Sequence, residues 1–464
     1  MKKPRLDDAD AASEISDRLE EMFARYERTK RAQNVSFRKM VHWLKVGERA
    51  THYIHSYPAK LLPHIAHFFL NAEGLTSLGD RVLDPFGGTG TVALESLLAG
   101  RVPLYCEMNP LAQLIAKVKT QSLDGSDLDT AFRQVKAART TCLTRRQLAP
   151  QVVNVNHWYT PSICKELSAL KATLLPLKSG AAKEFLLIAF SQTCRRMSNA
   201  DPRLSVPVRC KDLPKRKPFD AWGAFDEQVA TNRRRYAELC ELLGATNFDG
   251  AKFVGNDARR LYEPDSDFGL GTKRLRKNTV QLVITSPPYA GAQKYVRATS
   301  LSLGWLDFAG VSDLKPLENA CIGREHFPRA SCQVCQCVGI NSADRLIRRV
   351  FKINPLRSLI VATYLREMDV ALMEMIRVLK PGGHLVMILG NNRVCGFDFK
   401  TSEYIRELAE RHGMITRLRL VDEIRSRGLM TKRNKTASVI TREWVIVFQK
   451  ASHPPSSKQS LRIR

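Results

Sequence analysis

Short apolar stretches alternate with helix-like segments in two separate parts of the chain. In the first part, RVLD (81–84) and VPLYCE (102–107) are apolar enough for buried strands, and a helix-like segment follows each. In the second part, VQLVIT (280–285), HLVMIL (384–389) and EWVIVFQK (443–450) have the same character. This alternation predicts an α/β fold in which helices cover both faces of a parallel sheet.

A long helix with one buried face is predicted before residue 380. Its apolar residues recur at steps of three and four, and they are Leu365, Met368, Leu372, Met375 and Leu379. This spacing puts them on one side of the helix, which is therefore expected to pack against the core. We expect the helix to stop at KPGG (380–383), because proline and paired glycines interrupt helices.

The segment between the two sheet-forming parts has a different pattern. It is largely helical and rich in Arg and Lys, with a basic connector that contains prolines. We infer one sheet domain that is interrupted by a largely helical insertion. The predicted parts are 1–45, a charged helical lead-in with Leu19, Met22 and Phe23 at helical spacing; 46–120 and 251–450, the two halves of the sheet domain; 121–250, the insertion; and 451–464, a disordered tail.

Composition narrows the class of protein. Hydrophobic residues make up 44% of the chain and charged residues 26%, as in ordinary globular proteins. No apolar run approaches the roughly 18 residues that cross a bilayer, and the N-terminal residues are charged, unlike a secretory signal. We therefore expect a cytoplasmic protein with no membrane partner, in which the 11 cysteines are reduced thiols.

Net charge points to a class of partner. The chain has 73 Lys and Arg residues against 46 Asp and Glu residues, a formal net charge of +27. Such an excess attracts polyanions and speeds association with them. Nucleic acid is the expected partner, while a basic but unspecialised protein is the alternative.

A glycine-rich turn follows the first predicted strand. VLDPFGGTGT (82–91) puts Asp84 at the end of the strand, ahead of three glycines that allow close approach of a ligand. Glu107 ends the next strand, 23 residues later, where an acidic side chain can bind the hydroxyls of a ribose. The pattern suits a cofactor that contains a nucleoside, although glycines also serve simply to close turns.

A second motif, Ser286-Pro287-Pro288-Tyr289, follows the strand 280–285. The prolines fix the backbone, so that the carbonyl of Pro287 is available to a ligand. Together with the Ser286 hydroxyl it could accept the hydrogens of an exocyclic base amine, whose lone pair is otherwise delocalised into the ring. Tyr289 offers a flat face to a base that has left the duplex. The alternative is a proline-rich turn.

DPFGGTG resembles the cofactor motif of the DNA methyltransferases that methylate base amines. The resemblance implies a Rossmann-like sheet that binds S-adenosyl-L-methionine. By that resemblance the methionine part contacts Asp84, Phe86, Gly88 and Gly90, and the ribose contacts Glu107.

Two further segments resemble motifs of the same enzymes. HSYPAKLLPHI (55–65) would put Tyr57, Pro58 and Lys60 beside the carboxylate end of the cofactor, although a simple helix start explains them as well. Asp257 in GNDARRL would lie near the adenine ring.

SPPY resembles the fourth motif of N4-cytosine and N6-adenine DNA methyltransferases, and the likeness continues through Tyr295 and covers most of residues 46–450. Serine in the first position favours N4-cytosine. The resemblance thus implies a site-specific DNA methyltransferase acting on N4 of cytosine, with 121–250 as the candidate target-recognition region. A cognate restriction nuclease is a second candidate partner.

Alternative functions are N6-adenine methylation, RNA methylation, and a non-catalytic DNA-binding protein that kept the fold. Covalent C5-cytosine chemistry needs a nucleophilic Cys after Pro, and no Pro-Cys pair occurs in the chain.

Three other features have two interpretations each. Cys332, Cys335 and Cys337, with Cys321 and His326 nearby, could hold zinc, but one compact cluster is not the usual pattern of two separated pairs, and we expect free thiols and no metal. KRLRKN (273–278) could contact phosphates or lie in solvent. The adjacent Asn391 and Asn392 could line the cleft or cap a strand end.

Overall fold

An eight-stranded sheet lies at the centre of the protein in the computed structural model. The structure describes residues 8–45, 49–58, 60–143, 150–204, 206–210, 220–264, 270–291, 295–423 and 442–452. In chain order the strands are β1 Gln33–Val35, β2 Arg81–Asp84, β3 Val102–Cys106, β4 Lys252–Gly255, β5 Tyr262–Pro264, β6 Leu270–Arg274, β7 Val280–Thr285, β8 Leu379–Leu389, β9 Asn392–Val394, β10 Phe397–Phe399, β11 Met414–Glu423 and β12 Arg442–Lys450.

The strand order in the central sheet is β1-β11-β12-β8-β7-β2-β3-β4. Strand β12 is antiparallel to β8 and β11, and the remaining pairs in this sheet are parallel. Strands β9 and β10 form one small hairpin, and β5 and β6 form another. The prediction of a parallel sheet is confirmed for the other strands, whereas the antiparallel direction of β12 was not predicted. From β2 the chain runs outward to β3 and β4, and it later returns to β7 on the other side of β2. This reversal of strand order makes a topological switch point beside β2.

Helices cover both faces of this sheet. They are α1 Asp8–Thr29, α2 Phe37–Met40, α3 Pro63–Asn71, α4 Thr91–Leu98, α5 Pro110–Thr120, α6 Gly125–Ala137, α7 Arg139–Leu143, α8 Val155–Trp158, α9 Pro161–Leu174, α10 Ala181–Met197, α11 Ala221–Leu243, α12 Tyr295–Trp305, α13 Leu314–Ala320, α14 Asn341–Phe351, α15 Pro355–Val378 and α16 Thr401–Arg411. Short 3-10 helices span Ala50–Tyr53 and Arg329–Cys332.

The alternation of side chains along the strands divides the core into two layers. Leu83 and Val283 face a layer formed with α14, α15 and α16. Their neighbours Val82 and Leu282 face a layer formed with α1 and α3. Because successive residues of a strand point to opposite faces, these apolar strands bury both sides.

The described part of 121–250 is helical and adds no strand to the central sheet. Its two ends meet where Ser122 Oγ donates to the carbonyl of Thr246 at 3.0 Å. Helices α6, α9, α10 and α11 share a separate apolar core with α5. Helix α12, which follows the tetrapeptide, contributes Trp305 to this core, so the helical region packs beside the sheet and also holds α12.

Several boundaries differ from the sequence expectations. Helix α15 ends at Val378, and KPGG (380–383) lies within β8, where the pairing with β7 shifts register and accommodates the extra residues. Strand β11 was not expected. The lead-in contains β1, which pairs with β11, so it extends the sheet in addition to forming a helix. Within the lead-in, Leu19 is buried, and Met22 and Phe23 are half-buried. Residues 453–464 of the predicted tail lie outside the described residues.

Candidate active site

The glycine turn and the tetrapeptide begin side by side. Strands β2 and β7 pair with Val82 opposite Leu282 and Leu83 opposite Val283, so both strands end at the same edge of the sheet. There the Thr285 hydroxyl donates a hydrogen bond of 2.6 Å to Asp84 Oδ1. The edge at which open α/β sheets bind ligands therefore carries both motifs, and a side-chain hydrogen bond joins Asp84 to the residue immediately before the tetrapeptide.

Asp84 is buried beside neutral donors. Its Oδ1 also accepts a hydrogen bond from the backbone NH of Phe86, at 3.1 Å. Among the described residues it forms no ion pair with Lys or Arg. Burial raises the pKa of Asp84 to about 7, and the hydrogen bonds from Thr285 and Phe86 act in the opposite direction. A buried carboxyl in this state is suited to a positively charged ligand group, which would restore its ionised form.

The glycines of the turn have two different reasons to be glycine. Gly88 has φ +49°, and a Cβ placed there would meet no atom of the described residues within 4 Å, so it faces open space. Gly90 has φ +72°, and its Cβ would lie 2.9 Å from Ala116 Cβ. Gly90 therefore allows α4 to approach α5, whereas the space at Gly88 is available to a ligand.

Glu107 holds the glycine turn from the end of β3. Its Oε2 accepts a hydrogen bond from the NH of Gly88, and its Oε1 accepts one from the NH of Asn109, both at 2.8 Å. Burial raises the pKa of Glu107, while the backbone hydrogen bonds lower it. Each carboxylate oxygen can accept a further bond, so the side chain could also receive ribose hydroxyls.

The predicted acidic residues gather around one buried thiol. Burial raises the pKa of Cys106 well above its usual range, and the nearby carboxylates of Glu107, Asp257 and Asp84 raise it further. Asp257, two residues beyond β4, forms a two-point ion pair with Arg259, with Nε–Oδ1 2.8 Å and Nη2–Oδ2 2.9 Å. The three carboxylates thus line neighbouring strand ends.

Only part of the upstream motif (55–65) lies beside the strand ends that carry the acidic residues. Burial raises the pKa of Tyr57 well above its usual range, with contributions from Glu107 and Tyr295, and the Asn109 side chain hydrogen-bonds to it. Tyr57 therefore lies beside Glu107. Lys60 is directed elsewhere, since its Nζ donates to the carbonyl of His55 at 2.7 Å and to that of His52 at 3.3 Å. The cofactor contact expected of Lys60 stays a prediction.

The tetrapeptide is backed by a segment that the sequence did not single out. Pro287 is buried, while Ser286, Pro288 and Tyr289 are half-buried. The NH of Gly291 donates to the carbonyl of Gly323 at 3.1 Å. A Cβ at Gly323, where φ is +83°, would lie 2.7 Å from the carbonyl oxygen of Tyr289. Only glycine permits this close approach, but no motif in the sequence indicated it.

Two features with open interpretations have partners within the protein, and their contacts to a ligand stay predictions. Asn391 Oδ1 accepts the NH of Ser402 at 2.9 Å and so caps α16, and Asn392 begins β9. In the run 273–278, Arg274 pairs with Glu374 at 2.6 Å and Arg276 with Glu263 at 3.2 Å.

The cysteine segment shows no metal site in the described residues. Cys321 Sγ lies 3.5 Å from Met108 Sδ, and Cys332 Sγ lies 3.6 Å from the carbonyl of Pro328. No group of three His, Cys, Asp or Glu side chains among the described residues is arranged to hold a metal ion. That these thiols are metal-free stays a prediction. In the part of the chain that the structure describes, no helix is long and apolar enough to span a membrane.

Comparison with known proteins gives one long match. No family model matches the chain. The Type II methyltransferase M.MvaI of Kocuria varians is 22% identical over 383 residues, which are 78% of this chain and 82% of the relative. The Type II methyltransferase M.MjaII of Methanocaldococcus jannaschii is 34% identical over 80 residues, 17% of this chain and 15% of the relative.

Solved structures give weaker likenesses. TTHA0409 of Thermus thermophilus, a candidate DNA modification methylase complexed with S-adenosyl-L-methionine, is 18% identical at a TM-score of 0.19, covering 40% of this chain and 54% of that one. The rRNA methyltransferase aviRa of Streptomyces viridochromogenes is 13% identical at 0.29, covering 89% and 96%. No conclusion follows from scores this low. The similarity to the Type II methyltransferase M.MvaI over most of both chains supports a methyltransferase.

Proposed function

We propose that this protein transfers a methyl group from S-adenosyl-L-methionine to N4 of cytosine in DNA. The observation that carries the proposal is the hydrogen bond from Thr285, the residue immediately before the tetrapeptide, to Asp84, which precedes the glycine turn at the switch point of the sheet. The extended similarity to a Type II methyltransferase supports it. DNA is the proposed partner, consistent with the net charge of +27. A cognate restriction nuclease is a second proposed partner, because the relatives are Type II enzymes.

The cofactor fits the residues at the strand ends. S-adenosyl-L-methionine supplies an electrophilic methyl group. Open space at Gly88 leaves room for a ligand against the backbone, and the buried carboxyl of Asp84 has no cationic partner among the described residues. We assign Asp84, Phe86, Gly88 and Gly90 to the methionine part. The remaining proposed contacts are Glu107 with the ribose, Asp257 with the adenine, and Tyr57 and Lys60 with the carboxylate end.

The tetrapeptide prepares the base amine. The Ser286 hydroxyl and the Pro287 carbonyl accept the two amine hydrogens, which turns the nitrogen lone pair out of conjugation with the ring. Pro288 fixes the backbone so that these acceptors keep their positions. Tyr289 stacks on the base after it leaves the duplex. The position of Gly323 against the Tyr289 carbonyl holds the tetrapeptide from behind.

The base assignment depends on Ser286. By the resemblance, serine at this position favours N4 of cytosine over N6 of adenine. The deciding experiment incubates the protein with isotope-labelled S-adenosyl-L-methionine and mixed-sequence DNA, digests the product to nucleosides and identifies the labelled one by mass. We expect labelled N4-methylcytosine. N6-methyladenine would correct the base and keep the mechanism, whereas 5-methylcytosine, or label in RNA alone, would overturn the proposal.

A double variant separates chemistry from folding. Ser286→Ala together with Tyr289→Ala should lower turnover strongly, since loss of base stacking alone costs about 1–3 kcal/mol. Affinity for S-adenosyl-L-methionine should change little. Ser300→Ala, at a hydroxyl that donates to the carbonyl of Arg297 within α12, is the matched control and should retain activity. Full activity in the double variant would contradict the mechanism.

A further inference from the structure

Helix α14 has two faces of opposite character. Ala343, Leu346, Ile347 and Val350 are buried in the core layer beneath it. The exposed side of the same helix carries cations at steps of three and four, and these are Arg345, Arg348, Arg349 and Lys352. At a rise of about 1.5 Å per residue the four positions extend over roughly 10 Å.

The cations on this face are not neutralised by acidic side chains. None of the four forms an ion pair with a carboxylate among the described residues. Between residues 321 and 357 there are seven Lys and Arg residues and two acidic ones. Of the two, Asp344 is buried and accepts the NH groups of Val338 and Gly339. The other, Glu325, lies 3.6 Å from Arg357. The exposed face therefore keeps its positive charge.

The helical region 121–250 is basic as well, but many of its cations are paired. Lys136 lies 3.7 Å from Asp226, Arg139 lies 3.3 Å from Asp220, and Arg233 lies 2.5 Å from Asp129. Each of these pairs joins two different segments of the helical region. Pairing of this kind reduces the positive charge that is available to an external partner. Composition alone does not show this reduction.

The charged face of α14 lies at the edge of the sheet that carries the tetrapeptide. The β9–β10 hairpin follows directly on the end of β8, the neighbour of β7, and the Arg349 guanidinium lies 4.1 Å from the ring centre of Phe397 in that hairpin. Helix α15 begins four residues after α14. Near its start, Ile360 Cγ2 is 3.1 Å and Arg357 Nη1 3.3 Å from a Cβ placed at Gly291, just beyond Tyr289.

We propose that the exposed face of α14, formed by Arg345, Arg348, Arg349 and Lys352, binds the phosphate backbone of duplex DNA while a base occupies the tetrapeptide site. This inference rests on the proposed function and deepens it, because it assigns the backbone contact to α14 and not to the helical region 121–250. A row of guanidinium and ammonium groups without acidic partners among the described residues complements the charge of a row of phosphates. Its position beside the catalytic edge lets a duplex held there deliver a base to the tetrapeptide.

The test replaces all four side chains of the α14 face with glutamine. The variant Arg345→Gln, Arg348→Gln, Arg349→Gln and Lys352→Gln is compared with the parent for binding to a short fluorescent DNA duplex over a series of salt concentrations. Its matched control, Arg25→Gln, Arg28→Gln, Arg31→Gln and Lys39→Gln, removes the same charge from exposed positions of the lead-in. Calorimetry with S-adenosyl-L-methionine reports whether each variant is folded and binds the cofactor, and the labelling assay reports methylation by the parent.

We expect the α14 variant to bind DNA about 100-fold more weakly near 0.1 M salt. The slope of log affinity against log salt should become shallower by about 0.9 for each phosphate that the variant no longer neutralises. Cofactor affinity should be unchanged, and the control should bind DNA almost as tightly as the parent. Equal weakening in both variants, or an unchanged slope in the α14 variant, would overturn the assignment to α14 even if the parent methylates DNA. Absence of methylated DNA with the parent would overturn the proposed function instead, and duplex binding confined to RNA would overturn the inference.

Discussion

Two buried carboxylates lie close to the start of α4, and their surroundings are opposite. Asp84 precedes the helix and has hydroxyl and amide donors as neighbours, and burial raises its pKa to about 7. Glu95 lies within the helix and contacts Arg49 at 2.8 Å, His52 at 2.7 Å and His67 at 3.3 Å. Burial alone would raise the pKa of Glu95, but these partners hold it well below its usual range.

This difference separates Glu95, a carboxylate with a structural role, from Asp84, a candidate for ligand binding. Glu95 is fully compensated, and it ties α4 to α3 and to the segment around residue 50. Asp84 has no compensating cation among the described residues, so a cationic ligand can complete its environment. Burial by itself therefore does not identify a functional carboxylate, and a buried one without a protein cation beside it is the better candidate.

The largest expected effect comes from breaking the compensated site. Glu95→Ala leaves Arg49 and two histidines without their acceptor, and loss of one partner of a buried ion pair costs about 3–5 kcal/mol. Urea denaturation of the variant and the parent measures the free energy of unfolding. Glu73→Ala, on an exposed glutamate, is the control and should change it by less than about 0.5 kcal/mol. Equal stability of both variants would remove the structural role of Glu95.

A smaller effect, of a different kind, is expected at the uncompensated site. Asp84→Asn should weaken binding of S-adenosyl-L-methionine about 10- to 100-fold, since hydrogen bonds to charged groups contribute roughly 1.5–3 kcal/mol. Stability should change little, because the amide keeps an acceptor for Thr285 and avoids a buried charge. Asp80→Asn, at the opposite end of β2, is the control and should bind the cofactor normally. Normal binding in Asp84→Asn, measured by calorimetry, would refute the assignment.

The two sites should also respond to pH in opposite directions. The folded-state pKa of Asp84, about 7, exceeds its usual value, so its contribution to stability is lost as pH rises toward 7. Burial lowers the pKa of His52 to about 4, so the contribution of His52 to stability is lost as pH falls below about 6.5. The pKa of Glu95 is also depressed, and the contribution of Glu95 to stability is lost at still lower pH. Unfolding measured from pH 5 to 8 should show a smaller loss of stability toward pH 7 in Asp84→Asn than in the parent. Part of the loss remains in the variant, because burial also raises the pKa of Glu443 to about 7. An identical profile in that variant would contradict the raised pKa.

The sequence predicted the parts of the fold that depend on local pattern. Strands β2, β3 and β7 match the apolar stretches that indicated them, within one residue. The placement of Asp84 and the tetrapeptide at one edge of the sheet could also be predicted, because ligand sites of open α/β sheets lie at the carboxyl ends of strands.

Other features depend on contacts between distant segments and left little local signal. Strand β11, MITRLRLVDE (414–423), alternates Arg with Leu over only four residues, and it is held in the sheet by pairing with β12 and β1 on either side. The partners of Glu95 come from two other segments of the chain, so TVALESLL (91–98) reads simply as an apolar helix with one glutamate. Gly323 lies 34 residues from Tyr289 in sequence, and only the folded chain brings them together.

The short strand β1 has a consequence for solubility. Its pairing with β11, from Gln33 opposite Leu420 to Val35 opposite Asp422, covers part of a strand that would otherwise form the edge of the sheet. Uncovered edges present free NH and carbonyl groups that recruit strands from other molecules. Residues 33–35 thus protect this edge from pairing with strands of other molecules. Removal of the lead-in should therefore favour self-association.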